Sequence, residues 1–208
     1  MTETFEPSLP SVVKSIRQRD LLNEWLRLSK GVNGLPDFST YHVGSADELI
    51  EMMVFQVIRE SDEPQFLIIH EGARMSAAYG NDYDGHNAAQ KRYMHTNIGP
   101  KRTRHVIGSY LACLEHRLPI YSILMVKDED GKEVAYERLL LPFGTAGVVD
   151  HIVGSFKTIS IDGSFKIRNL MSLSADPPVT IIRAVINGRF TAPVGRRKSE
   201  SADEIIEV

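Results

Sequence analysis

Between Ile120 and Ser160, three strand-like runs follow one another with only short turns between them. Strands joined this tightly pair antiparallel, because a parallel crossover needs a dozen or more residues. The first run is Ile120 to Val126, and the turn Asp128-Glu-Asp-Gly131 after it has the D-G ending that favours tight hairpins. Glu133 to Pro142 reads as the return strand, Phe143 to Gly147 as a loop with two glycines, and Val148 to Ser160 as a last strand. Two earlier runs, Met53 to Arg59 and Gln65 to His70, flank the turn Ser61-Asp-Glu-Pro64 and form another hairpin signal.

Helical signals are gathered between the two groups of strands. Ala73 to Tyr79 reads as a short helix closed by Gly80. Lys101 to Arg117 is the longest, with Val106, Ile107, Tyr110, Leu111 and Leu114 on one apolar face and Pro119 just beyond its end. Asn87 to Pro100 gives no clear signal. Helices and strands do not alternate, so a Rossmann-type fold is not expected. The pattern predicts an α+β core over residues 45–160: a five-stranded antiparallel sheet with helices on one face.

The flanks divide into four pieces. Residues 1–10 carry two prolines and two glutamates and read as a loose terminus. Residues 11–44 hold a helix, Ser11 to Lys30, followed by a connector. Leu21, Leu22, Trp25 and Leu28 form that helix's apolar stripe, which suits either packing on the chain's own core or a homodimer contact. Ser45-Ala-Asp-Glu48 matches a capping box at the start of a short helix. Residues 161–190 form a C-terminal extension in which Val179 to Ile186 suits an extra strand, with no sign of where it pairs. Residues 191–208 read as a flexible tail with a basic knot at Arg196, Arg197 and Lys198.

Composition excludes several functions. The chain has 208 residues, enough for one domain with extensions. Its net charge of −3 gives no basic footprint, so no nucleic-acid partner is expected. Cys113 is the single cysteine, which rules out an intrachain disulfide and a multi-cysteine zinc site. No apolar run reaches the roughly 20 residues needed to cross a bilayer, and the first ten residues lack a secretory pattern. A soluble, cytoplasmic protein without a membrane partner is the expectation.

Several segments carry a family resemblance. These are the helix Leu21 to Arg27 with Trp25, and Glu71-Gly-Ala-Arg-Met75 followed by Ala78-Tyr-Gly-Asn-Asp82 and Gly85. Tyr136-Glu-Arg-Leu-Leu-Leu-Pro142 and Val149-Asp-His-Ile-Val-Gly154 complete the set. In this order they resemble PAS domains, in particular the PAS-like family found mainly in alphaproteobacteria. The likeness covers roughly residues 20 to 160. It implies a sensory or regulatory module of signal transduction that binds a small molecule or a protein partner, often as a dimer, without catalytic residues. The alternatives are a ligand-free interaction adaptor and a small α+β enzyme.

By their places in that order, Tyr79, Tyr110 and Tyr121 suit pocket walls, and equally a filled core. Arg74 and His105 complete the candidate ligand-binding set with Arg138. On the strand Val134 to Leu141, Val134, Tyr136, Arg138 and Leu140 share one face, and Ala135, Glu137, Leu139 and Leu141 share the other. Either face carries a charge. If Arg138 points inward it needs a partner, and a ligand acid or Glu71 is the natural one.

Other constellations are weaker. His105 and His116 lie about 16 Å apart along one helix at roughly 1.5 Å per residue, so they cannot share a metal. Neither lies on the apolar stripe, and haem is not expected. Cys113 lacks the surroundings of a flavin-reactive cysteine and reads as a core residue. Asp150 and His151 are adjacent on a strand and are expected to face opposite ways. Lys101, Arg102 and Arg104 at a helix start read as a solvated basic turn, with a bound anion as the alternative. No Walker A, G-x-G-x-x-G or G-x-S-x-G pattern is present. No catalytic residue and no metal ligand is assigned.

Overall fold

The computed structural model describes residues 4–30, 34–41, 46–61, 63–80, 92–97, 100–161, 163–171 and 178–188, without the side chains of residues 97, 100–102 and 105. Its strands are β1 (Glu6–Ser8), β2 (Met52–Ile58), β3 (Gln65–Glu71), β4 (Ile120–Lys127), β5 (Glu133–Thr145), β6 (Val148–Ser160) and β7 (Val179–Ile186). They form one open sheet in the order β1-β7-β4-β5-β6-β2-β3. All neighbours are antiparallel except β1 and β7, which run parallel. The helices are α1 (Ile16–Ser29), α2 (Ala46–Leu49), α3 (Ala73–Tyr79), α4 (Met94–Asn97) and α5 (Pro100–His116).

The fold is α+β, and the sheet differs from expectation in size and in kind. It has seven strands instead of five and is mixed instead of antiparallel. Both added strands come from the flanks. The C-terminal extension supplies β7, which pairs with β4, and residues 6–8 of the supposedly loose terminus pair with β7. Asn187 N donates to Ser8 O and Ile186 N to Pro119 O, fastening this edge. The capping serine Ser45 and the tail 191–208 lie outside the described residues.

The turn between β5 and β6 is also shorter than the predicted loop of 143–147. Strand pairing continues to Thr145 and Val148. Ala146 and Gly147 have φ of 51° and 76°, the pair of positive values that a two-residue hairpin turn requires. One residue earlier the register shifts. Gly144 pairs with Val149 and Phe143 with His151, leaving Asp150 as an extra residue in a bulge. Gly144 permits the bend, because a Cβ there would lie 1.9 Å from Val148 O.

Helices cover both faces of the sheet. On one side α3 and α5 lie over Tyr136, Arg138 and Phe156. On the other lies α1. Trp25 Nε1 donates to Pro142 O at 2.6 Å, and buried Gln18 donates through Nε2 to Ser155 O at 2.9 Å. Leu21, Leu22 and Trp25 are buried and Leu28 is half-buried against the same core. The apolar stripe therefore packs on its own chain, the first of the two expected arrangements. Burying one leucine so completely stabilises the fold by about 1.5–3 kcal/mol. Among the described residues, no helix is long and apolar enough to cross a membrane.

Candidate ligand-binding site

β5 carries the two side chains on which the site is built. Tyr136 and Arg138 share the face beneath α3 and α5, while Glu137 between them points to the α1 side. There Glu137 Oε2 accepts from Ser15 N at 3.3 Å, next to the first turn of α1. The acid beside Arg138 in sequence is thus separated from it by the sheet itself.

Arg138 is 4% exposed. Its Nη2 donates to Ser109 Oγ at 2.6 Å, and its Nε donates to Ser122 Oγ at a longer 3.3 Å. Among the described residues, Nη1 has no hydrogen-bond partner and no carboxylate pairs with the guanidinium. Glu71, one of the two partners suggested by the sequence, pairs instead with Arg92. The Tyr110 ring stands 5.9 Å from the guanidinium carbon, within cation–π range. Two hydroxyls and a ring soften the burial of a positive charge without neutralising it.

Tyr110 and Tyr136 lie near this cation, and Tyr79 lies near both of them. Tyr110 packs its ring against Phe55 and Phe66, with centroids 5.0 and 5.3 Å away. Burial pushes the Tyr110 hydroxyl well above its ordinary range; Tyr79 adds to the push and Arg138 opposes it. Burial does the same to Tyr136, again with Tyr79 adding and Arg138 opposing. Both phenols therefore stay protonated. The Tyr136 hydroxyl is buried with Tyr79 beside it, yet makes no hydrogen bond of ordinary geometry.

A narrow crevice runs from the surface to Tyr136, between Arg74, Met75 and Ala78 of α3 and Phe156 and Thr158 of β6. It has room for about one water molecule. Arg74 stands at its mouth, 3.3 Å from Glu51 Oε1 and donating to Thr158 Oγ1 at 3.2 Å. The far side of Glu51 is held by Lys157.

Of the residues chosen from sequence, Tyr79, Tyr110 and Arg138 come together, with Arg74 on the crevice. Tyr121 does not join them. It pairs with Leu139, takes that residue's face of the sheet, and accepts from Lys14 N at 3.2 Å beneath α1. His105 belongs to the α5 backbone, and its side chain lies outside the described residues, as do those of Lys101 and Arg102. Ser109, Ser122 and Tyr136 were missed by the sequence reading. Tyr136 had a signal, since it shares the β5 face of Arg138; the two serines had none, because their pairing depends on how α5 and β4 meet β5.

Other reactive groups stand apart. Cys113 is fully buried, and burial pushes its thiol far above the ordinary range, which leaves it inert. Asp150 and His151 were expected to face apart, but Asp150 Oδ1 lies 2.7 Å from His151 Nδ1. The bulge at Asp150 breaks the alternation and turns the two side chains toward each other. His151 also stacks on Phe38 at 4.4 Å. Among the described residues, no group of three or more His, Cys, Asp or Glu side chains is placed to hold a metal ion. No family model matches this chain, and no curated protein matches it.

Proposed function

We propose that this chain is a non-catalytic, PAS-type sensory or regulatory module that receives a small molecule between its sheet and the helices α3 and α5. Five of its strands, β3-β2-β6-β5-β4, are consecutive antiparallel neighbours, and α3 and α5 share one face of them. That arrangement supports the sequence resemblance. The observation that carries the ligand reading is the polar cluster on this face. Folding alone does not favour a buried arginine with no acid among the described residues, beside a buried phenol that makes no ordinary hydrogen bond. Native mass spectrometry of the protein purified from its own cells tests the reading. A retained small molecule, lost on denaturation, is expected. A bare polypeptide mass in every charge state would remove the small-molecule role.

A second reading, an adaptor or homodimer without a ligand, rests on a different surface. On the α1 side, Ile159, Ala135, Met125 and Val179 form one cross-strand row over β6, β5, β4 and β7. Ile159 and Val179 are 46% and 67% exposed. Apolar side chains aligned in this way suit a partner's surface. Light scattering on the double variant Ile159→Glu, Val179→Glu tests it: a self-associating protein loses mass, and an unchanged mass removes this row from any homodimer.

A further inference from the structure

The geometry points to a small organic carboxylate as the ligand of the Arg138 cluster, an inference that rests on the ligand-binding reading above. Three observations converge. Arg138 is almost wholly buried and has no anionic partner among the described residues. Among the described residues, its Nη1 makes no hydrogen bond. Two residues away on the same strand face, the buried Tyr136 hydroxyl is a second donor without an ordinary bond. The guanidinium presents only donors and a positive charge, the protonated phenol adds an O–H donor beside it, and a carboxylate presents acceptors and a negative charge. Charge-assisted bonds of this kind are shorter and stronger than those to the serine hydroxyls. The long Nε–Ser122 contact of 3.3 Å is the one most readily exchanged.

The surroundings define the rest of the ligand. Tyr110, backed by Phe55 and Phe66, stands beside Arg138, and Phe156 packs against Tyr136. The crevice that ends at Tyr136 has room for about one water molecule and Arg138 is not among its lining residues, so an acid that reaches the cluster has to widen it between α3 and β6. A carboxylate with a short apolar body fits this chemistry. A phosphate or a sugar does not, because rings offer no partners for its further oxygens. The apposed Arg74 and Glu51 at the crevice mouth already satisfy each other.

Thermal melting with matched acid and amide pairs tests the inference. The probes are acetate, butyrate and phenylacetate against acetamide, butyramide and phenylacetamide, at equal ionic strength held with chloride. At least one acid is expected to raise the melting temperature by several degrees, saturably, with no effect from its amide. Arg138→Met should abolish the difference. Tyr136→Phe removes a hydroxyl with no ordinary partner, so it should fold normally and weaken acid binding severalfold, a check that does not depend on replacing Arg138. Equal stabilisation by an acid and its amide overturns the carboxylate assignment while leaving a small-molecule pocket in place. No stabilisation by any acid, or an undiminished acid effect in Tyr136→Phe, overturns the assignment as well. The failure of the broader reading is distinguished by the bare mass described above.

Discussion

Asp128 shows how much one side chain can organise. Its Oδ1 accepts from Asp130 N and Lys132 N, both at 2.9 Å, and its Oδ2 accepts from Lys166 N at 3.0 Å. The carboxylate thereby closes the β4–β5 turn and ties the segment after β6 to it. The Lys166 bond is the largest cause holding its pKa below the ordinary value; burial opposes it, and the Lys132 and Asp130 bonds reinforce the lowering. A carboxyl group whose folded pKa is depressed contributes stability above its unfolded value, about 3.9, and loses it as pH falls through the folded value. Asp128→Asn should therefore lower the urea midpoint at pH 7, and the gap to the parent should close as pH drops below about 4. A gap that stays constant across that range contradicts the assignment. The D-G turn itself was legible in the sequence, but the reach of Asp128 to Lys166 was not, because the two lie 38 residues apart. The direction of Arg138 was likewise undecidable from alternation, since the opposite face of β5 carries Glu137.

At the scale of elements, α1 and the β5–β6 hairpin hold the sheet in place. Trp25 is 1% exposed and anchors α1 to Pro142 through its indole N–H. Trp25→Ala should cost about 3–5 kcal/mol, read from chemical denaturation, from lost burial plus the cavity left behind. A loss under about 1 kcal/mol would mean that the helix is not seated on the sheet, since even conservative core trimming costs that much. Gly144 is needed where the chain bends. Gly144→Ala drives a methyl into Val148 O and should cost about 1–3 kcal/mol. The helical stripe of α1 was readable from periodicity, and its burial in the same chain was one of two open choices. The bulge was invisible: an extra residue in a strand leaves no mark on composition, and it alone turned Asp150 and His151 toward each other. The strands joined by short turns were placed correctly because turn length dictates their pairing. β7 was found as a strand but could not be placed, since its partners β4 and β1 are distant in sequence.

Across the whole molecule, one sheet is packed on both faces and keeps its charges apart. Glu137 and Arg138 are consecutive and buried, yet they serve opposite layers: the acid meets the start of α1, and the cation lies beneath α5. A fold selected for stability alone would bring them together or replace them. The separation makes sense if a bound ligand supplies the α5 layer's negative charge, since no carboxylate among the described residues pairs with Arg138. A buried charge without an ionic partner carries an uncompensated desolvation cost, so replacing it with an apolar residue of similar volume relieves that cost. Ligand-free Arg138→Met, measured by urea denaturation beside the parent, is therefore the most direct test. The predicted result is a midpoint equal to or above that of the parent. A loss of about 3 kcal/mol or more, the size expected when a structural charge network is broken, would show that Arg138 serves folding and would contradict the ligand-binding account.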